Sequence, residues 1–328
     1  MSELRFATRL NSFACRPDLA WPDLTGKPTV LQMVARAAKV DGLTDVDLNF
    51  PDHVAGRPAE RAAEIGDLGL AINGLAMRYY SNPAFKLGAF TNPDPAVRRE
   101  AIDLTRRGID AVREMGCDLM TIWLGQDGFD YTFQADYATL WQYEIDGLRE
   151  VCDHDPTCNI SIEYKPNEPR AFALLSDCAT TLIAIRDVDR RNLGVTLDLA
   201  HVLYANEQPA FAAALAARHS RVLGIHLNDG YGKRDDGLMV GSVHPLQTIE
   251  LLRQLRHDGY RGALYFDTFP DTSGLDPVSE CALNIATVRR MYCVVDRLDS
   301  DNQLADAVAQ QNPVSVMAIV NELTFAAT

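Results

Sequence analysis

Four short stretches decide how this chain folds: Ile162-Glu163-Tyr164-Lys165-Pro166, Leu197-Asp198-Leu199-Ala200-His201, Ile225-His226-Leu227-Asn228-Asp229 and Tyr265-Phe266-Asp267. Each follows a run of apolar or β-branched residues and ends in a carboxylate or an imidazole. A charge inside such a run is costly unless it is paired or metal-bound. Residues that carry chemistry stand at the C-terminal ends of the strands in a closed parallel barrel. Four successive strands ending in Glu, Asp, His and Asp would therefore aim all four side chains at one point above such a barrel.

Working outward, the same rhythm covers most of the chain. Candidate strands lie at Leu4–Thr8, Asp45–Asn49, Ala71–Met77, Asp118–Leu124, Asn159–Tyr164, Gly194–Asp198, Val222–Asn228 and Ala263–Asp267. The segments between them carry helical patterns. From Pro95 to Glu114 and from Leu246 to Leu255, apolar residues recur at three- and four-residue steps. Gly116, Gly194, Gly259 and Gly262 are read as helix stops ahead of the next strand. Eight strands each followed by a helix predict a single (β/α)8 barrel over residues 1–295. An open doubly wound sheet would show a glycine-rich phosphate turn after an early strand, and none is present. Residues 296–328 are expected to form a C-terminal extension of two short helices split at Asn312-Pro313. Its apolar run Val314–Val320 has no strand to join in a closed barrel. It is expected either at a neighbouring subunit or over the barrel's own outer face.

The bulk properties exclude several classes. The chain of 328 residues is 47% hydrophobic and carries a formal charge of −14. That charge repels phosphate backbones and argues against a nucleic-acid partner. No apolar run approaches the roughly 20 residues that span a bilayer, and the start lacks a secretory pattern. Seven scattered cysteines without a C-x-x-C motif suit free thiols in a reducing compartment. A cytoplasmic protein is expected.

Three carboxylates and an imidazole converging on one point need a cation. The oxygen-rich donor set of Glu163, Asp198, His226 and Asp267 suits Mn2+, Co2+, Mg2+ or Zn2+, with manganese expected first. His201, three residues past Asp198, and Asp235 in the following acidic loop are candidates for a second ion bridged by Asp198. Alone, Asp235-Asp236-Gly237 reads as a turn.

These residues also carry a resemblance. Ile162-Glu163-Tyr164-Lys165-Pro166-Asn167-Glu168-Pro169-Arg170 resembles the strand-five signature of the xylose isomerases. The segment Asn82–Thr91 with Val97-Arg98-Arg99, and the turn Trp123-Leu124-Gly125-Gln126-Asp127-Gly128, look like theirs too. Asp on strand six and His on strand seven, together with the acidic loop before Gly241-Ser242, are closer to the related L-rhamnose isomerases. The resemblance implies a metal-dependent aldose–ketose isomerase acting on a small sugar and assembling as a dimer or tetramer. In that reading Glu163, Asp198, His226 and Asp267 hold a structural metal, and Asp198, His201 and Asp235 a catalytic one. Lys165 polarises the substrate carbonyl, while Trp123 and Tyr80 form an apolar wall, with His201 also beside the sugar. Two positions depart from the pattern. Gly237 stands where a further carboxylate ligand is expected, which leaves one or two ions open, with Asp236 as a substitute. Asn49 stands where xylose isomerases carry a ring-opening histidine, with His53 nearby. A ketose 3-epimerase of the same superfamily is the nearest competing reading.

Overall fold

The computed structural model describes residues 4–325 apart from Ala55. Eight parallel strands close into a barrel: β1 (Phe6–Arg9), β2 (Asp45–Phe50), β3 (Ala71–Met77), β4 (Leu119–Ile122), β5 (Asn159–Glu163), β6 (Leu193–Asp198), β7 (Val222–Leu227) and β8 (Leu264–Phe266). Sequential strands are neighbours, and β8 returns to β1 with Phe6 opposite Leu264 and Thr8 opposite Phe266. The predicted strand set is thus recovered in order, with ends shifted by one or a few residues.

The outer ring consists of α1 (Val30–Ala37), α2 (Pro58–Asp67), α3 (Pro95–Glu114), α4 (Tyr137–His154), α5 (Cys178–Val188), α6 (Pro209–His219), α7 (Pro245–His257) and α8 (Pro277–Asp299). Many of their starts are written locally. Asp94, Asp136, Asp177 and Asp276 each accept a backbone N–H of the first turn, satisfying donors that the helix itself leaves free. Proline at the first turn of α2, α3, α6, α7 and α8 costs no hydrogen bond there.

Of the four glycines read as stops, Gly116 and Gly259 do turn the chain with positive φ after α3 and α7. Gly194 instead lies inside β6, where a Cβ would meet the Arg221 carbonyl of β7's lead-in at 2.7 Å. Gly262 has no positive φ and sits against the Tyr260 ring.

Past α8 come α9 (Asn302–Ala309) and α10 (Pro313–Phe325). α8 itself runs on to Asp299, through the point where the extension was expected to begin. One side of α10 (Val316, Ile319, Val320 and Leu323) packs against the core cluster, while Val314, Met317 and Phe325 stay exposed. None of the seven cysteines is paired, and no described helix is long and apolar enough to cross a membrane.

Candidate metal and sugar site

The strand ends converge as their spacing demands. One ligand atom from each of Glu163 (β5), Asp198 (β6), His226 (β7) and Asp267 (just past β8) lies within 4.8 Å of the other three. Register explains this, because Asp198 pairs with His226 and Tyr265 also pairs with His226 across adjacent strands. Parallel alignment brings these ends to one height.

His226 Nδ1 stands 3.4 Å from Glu163 Oε1 and 3.8 Å from Asp198 Oδ2. It is buried without a hydrogen-bond partner. A buried nitrogen facing carboxylates without a bond is a costly arrangement, and a cation held between them removes the cost. The donor set and this orphaned nitrogen fit a divalent metal. Asn228, the residue two beyond His226, donates to both Asp198 oxygens at 3.1 and 3.0 Å and to the Asp267 carbonyl at 3.2 Å. It fixes two ligands from outside the cluster.

Burial and mutual charge set the proton affinities within the cluster. Burial disfavours charge on His226, but Glu163, Asp267 and Asp198 push its pKa up to about 9. His201 is likewise raised to about 10 against its burial, by Asp198 and Asp235. Burial works against Glu163 as well, yet His226 and His201 hold it down to about 2. For Asp198 burial wins, lifting the carboxyl to about 7 despite His201. Asp267 is also raised by burial.

Beside the cluster, His201 Nδ1 faces the Tyr164 carbonyl at 3.0 Å, and its Nε2 lies 3.1 Å from Asp235 Oδ2. Lys165 donates to that same Asp235 oxygen at 3.2 Å and pairs with Glu168 at 2.8 Å. Asp235 Oδ1 is buried and unbonded. The Trp123 and Tyr80 rings meet at 5.7 Å, and the Lys165 ammonium lies 5.4 Å from the Trp123 ring.

The eight side chains of Glu163, His226, Asp267, His201, Asp235, Lys165, Trp123 and Tyr80 line one cavity of about 220 Å3 at the barrel mouth, with the deeply buried Asp198 beneath it. Asp236 is not among them. Its carboxylate is folded into its own loop, accepting the Tyr231 N–H at 2.9 Å and Arg234 Nε at 2.8 Å, so it does not stand in for a ligand at 237. Gly237 has φ of +56°, and a Cβ there would lie 2.3 Å from the Phe269 ring. An aromatic wall occupies the space of the expected carboxylate. His53 is buried, accepting the Asn49 N–H at 3.0 Å on its Nδ1, and neither residue lines the cavity.

The cavity also holds residues that the sequence did not single out. Arg9 at the end of β1, Arg78 just past β3, Tyr265 and Phe269 line it. Arg9 lies over the Phe269 ring at 4.8 Å and near Asp267 at 3.8 Å. The available signal was the one used for the late strands, a charge directly after an apolar run.

A closed (β/α)8 barrel with an acid-rich, one-histidine cluster across β5 to β8 defines the class: a TIM barrel with a candidate metal site at its mouth. Residues 34–286 match the family described as Xylose isomerase-like TIM barrel, and the chain belongs to that family. Among curated proteins it is similar to the xylose isomerase of Thermus thermophilus, with 29% identity over 209 residues. That match covers 62% of this chain and 54% of the relative. The xylose isomerase of Thermus caldophilus matches at 27% over a span of the same length. The chain thus spans about half the length of the curated relatives it matches. Among solved structures, an L-ribulose 3-epimerase superposes with a TM-score of 0.70 at 17% identity, covering 91% of this chain and 99% of that one. A D-tagatose 3-epimerase-like protein gives 0.70 at 16%, covering 90% and 100%. At those identities the likeness concerns the fold.

Proposed function

We propose that the protein is an aldose–ketose isomerase that moves hydrogen as hydride between C1 and C2 of an open-chain sugar. A divalent metal, Mn2+ first, would be held by Glu163, Asp198, His226 and Asp267, and when bound it supplies Lewis-acid polarisation of the sugar's oxygens. The observation that carries the reading is the Lys165 ammonium, which is 7% exposed and points into the cavity between Trp123 and Asp235. Lys165 stays protonated because Asp235 and Glu168 outweigh the burial that disfavours its charge. A buried cation at the reacting end stabilises negative charge developing on the C1 oxygen, where hydride arrival builds it.

Asp235 supports the complementary task. Its Oδ2 is occupied by Lys165 and His201, whereas its free, buried Oδ1 is an acceptor for the C2 hydroxyl proton. That proton must leave O2 as hydride leaves C2. Against its burial, His201 and then Lys165 hold the Asp235 carboxyl far below the usual carboxylate range. A proton accepted from O2 would therefore be held only briefly and passed on to the oxyanion formed at C1. Trp123 and Tyr80 exclude water from one side of the sugar, which protects a hydride path from exchange.

The test follows a deuterium at C2 of an accepted aldose. Retention of the label at C1 of the ketose is the expected result. Complete loss to solvent would sink hydride transfer and favour the second reading, a ketose 3-epimerase working by proton abstraction. That reading draws support from the likeness to named 3-epimerases at the level of fold.

A further inference from the structure

We infer that the cavity takes a sugar carrying a terminal oxyanion, a carboxylate or phosphate, received by Arg78 with Arg9 beside it. The inference deepens the isomerase reading and rests on it for the position of the reacting end.

Arg78 is half-buried on the cavity wall, and its Nε is buried without a hydrogen-bond partner. No carboxylate of the described residues is paired with it; its guanidinium instead lies 5.6 Å from the Tyr80 ring. A buried guanidinium N–H without an acceptor is unfavourable, and an oxyanion in the cavity would supply one. Arg9 adds a second guanidinium, 3.8 Å from Asp267 and 3.4 Å from Asp271. Both arginines act on one buried neighbour: burial and then Arg78, Arg61 and Arg9 pull His53 down to about 4.

The ion pairs of the cavity point the same way. Lys165 is paired with Asp235 and Glu168, and Arg9 lies near Asp267 and Asp271, whereas Arg78 has no carboxylate partner among the described residues. A neutral sugar leaves that guanidinium unanswered. An anionic one pairs it.

Geometry assigns the ends. Lys165 and Asp235 sit over β5 and the loop after β7, whereas Arg9 and Arg78 follow β1 and β3 across the mouth. An extended sugar with its C1–C2 end at Lys165 would carry its far end toward the arginines. Guanidinium is the group best shaped to take two oxygens of one oxyanion.

The experiment measures binding, by calorimetry and tryptophan fluorescence, with the manganese-loaded protein. The probes are D-glucuronate, D-galacturonate and D-mannuronate, their parent hexoses, and the hexose 6-phosphates. At least one anionic sugar is expected to bind about tenfold or more tighter than its neutral parent, as a charge-assisted hydrogen bond provides. Uronate over phosphate, or the reverse, identifies which oxyanion the site takes. Arg78→Ala should erase the preference, weakening the anionic sugars much more than their parent hexoses, and Arg78→Lys should retain part of it, since charge remains but the fork is lost. Arg78→Lys also guards against a folding failure of the alanine variant. Equal or tighter binding of every neutral hexose, or equal weakening of both classes by Arg78→Ala, overturns the inference. Tight anion binding without label-retaining turnover would refute the isomerase reading alone. Label-retaining turnover of neutral aldoses with no anion preference would refute the anion site alone.

Discussion

The two halves of the barrel mouth are built on opposite charge. Strands β5 to β8 end in Glu163, Asp198, His226 and Asp267, three carboxylates and an imidazole gathered on one point. Strands β1 and β3 end in Arg9 and Arg78, framed by Tyr80 and Phe269. The late half is organised to hold something positive, and the early half something negative. Lys165 stands at their junction, paired with Asp235 but resting against the Trp123 ring. A barrel allows this division because each strand contributes its end independently to a common rim.

The largest effect should come from breaking the late half at its centre. Glu163→Gln removes the carboxylate that both histidines face. The neutral amide can no longer offset two raised imidazoles, and metal retention and turnover should each fall by more than about 100-fold, beyond what an outer-sphere change costs. Metal content after dialysis, read alongside turnover, checks this. Retention of the ion in Glu163→Gln would remove Glu163 from the ligand set.

Next in size is Asn228→Ala. Asn228 touches no substrate-facing surface but donates to both oxygens of Asp198. Loss of such a support typically costs roughly 10- to 100-fold in metal affinity. Asn228→Asp should be worse, since it adds a further carboxylate beside Asp198. Unchanged affinity in both would make the Asn228 contacts incidental.

A pH series sharpens the same contrast. His226 binds a proton up to about pH 9 in the cation-free cluster, and a metal must displace it. Affinity should therefore weaken as pH falls from about 9, by about tenfold per unit for one displaced proton. Titrations spread evenly between about pH 6.5 and 8.5, below that midpoint, read the slope. A slope of two protons would mean that a second raised group, Asp198, Asp267 or His201, is stripped as well. A flat profile would deny His226 its place as ligand.

How much of this was legible in the sequence follows the same division. The late half could be read because an ionisable group inside an apolar strand is expensive and must have a reason, and four such strands in succession converge on one point, as the structure shows. The early half used the same grammar with less force. Arg9 and Arg78 lie at strand ends too, but a single arginine past a strand is an ordinary surface residue until its burial and partners are known. Asn228 was invisible for a different reason, since an amide is cheap to place and its role lies entirely in whom it touches. Gly194 misled because a glycine before an apolar run reads as a helix stop, whereas here it relieves a close approach between β6 and β7. Short motifs record local turns well and interstrand contacts poorly.

The smallest effect on chemistry, and the finest test, lies at the seam. Gly237 and Phe269 come from the loops after β7 and β8, and Arg9 from β1 rests on the Phe269 ring. At Gly237 a side chain meets two obstacles, a left-handed backbone and a ring carbon at 2.3 Å. Gly237→Ala should therefore destabilise the fold by about 1–3 kcal/mol with little change in metal affinity, measured by denaturant unfolding. Adding Phe269→Ala removes only the steric obstacle, so part of the loss should return, and the size of that recovery separates crowding from backbone strain. In the Phe269→Ala background, Gly237→Asp then asks whether the aromatic wall decides how many ions the site takes. A metal stoichiometry rising from one to two would mean that Phe269 occupies a vacated ligand position. A stoichiometry held at one would mean that Lys165, paired with Asp235, excludes the second cation by its own charge.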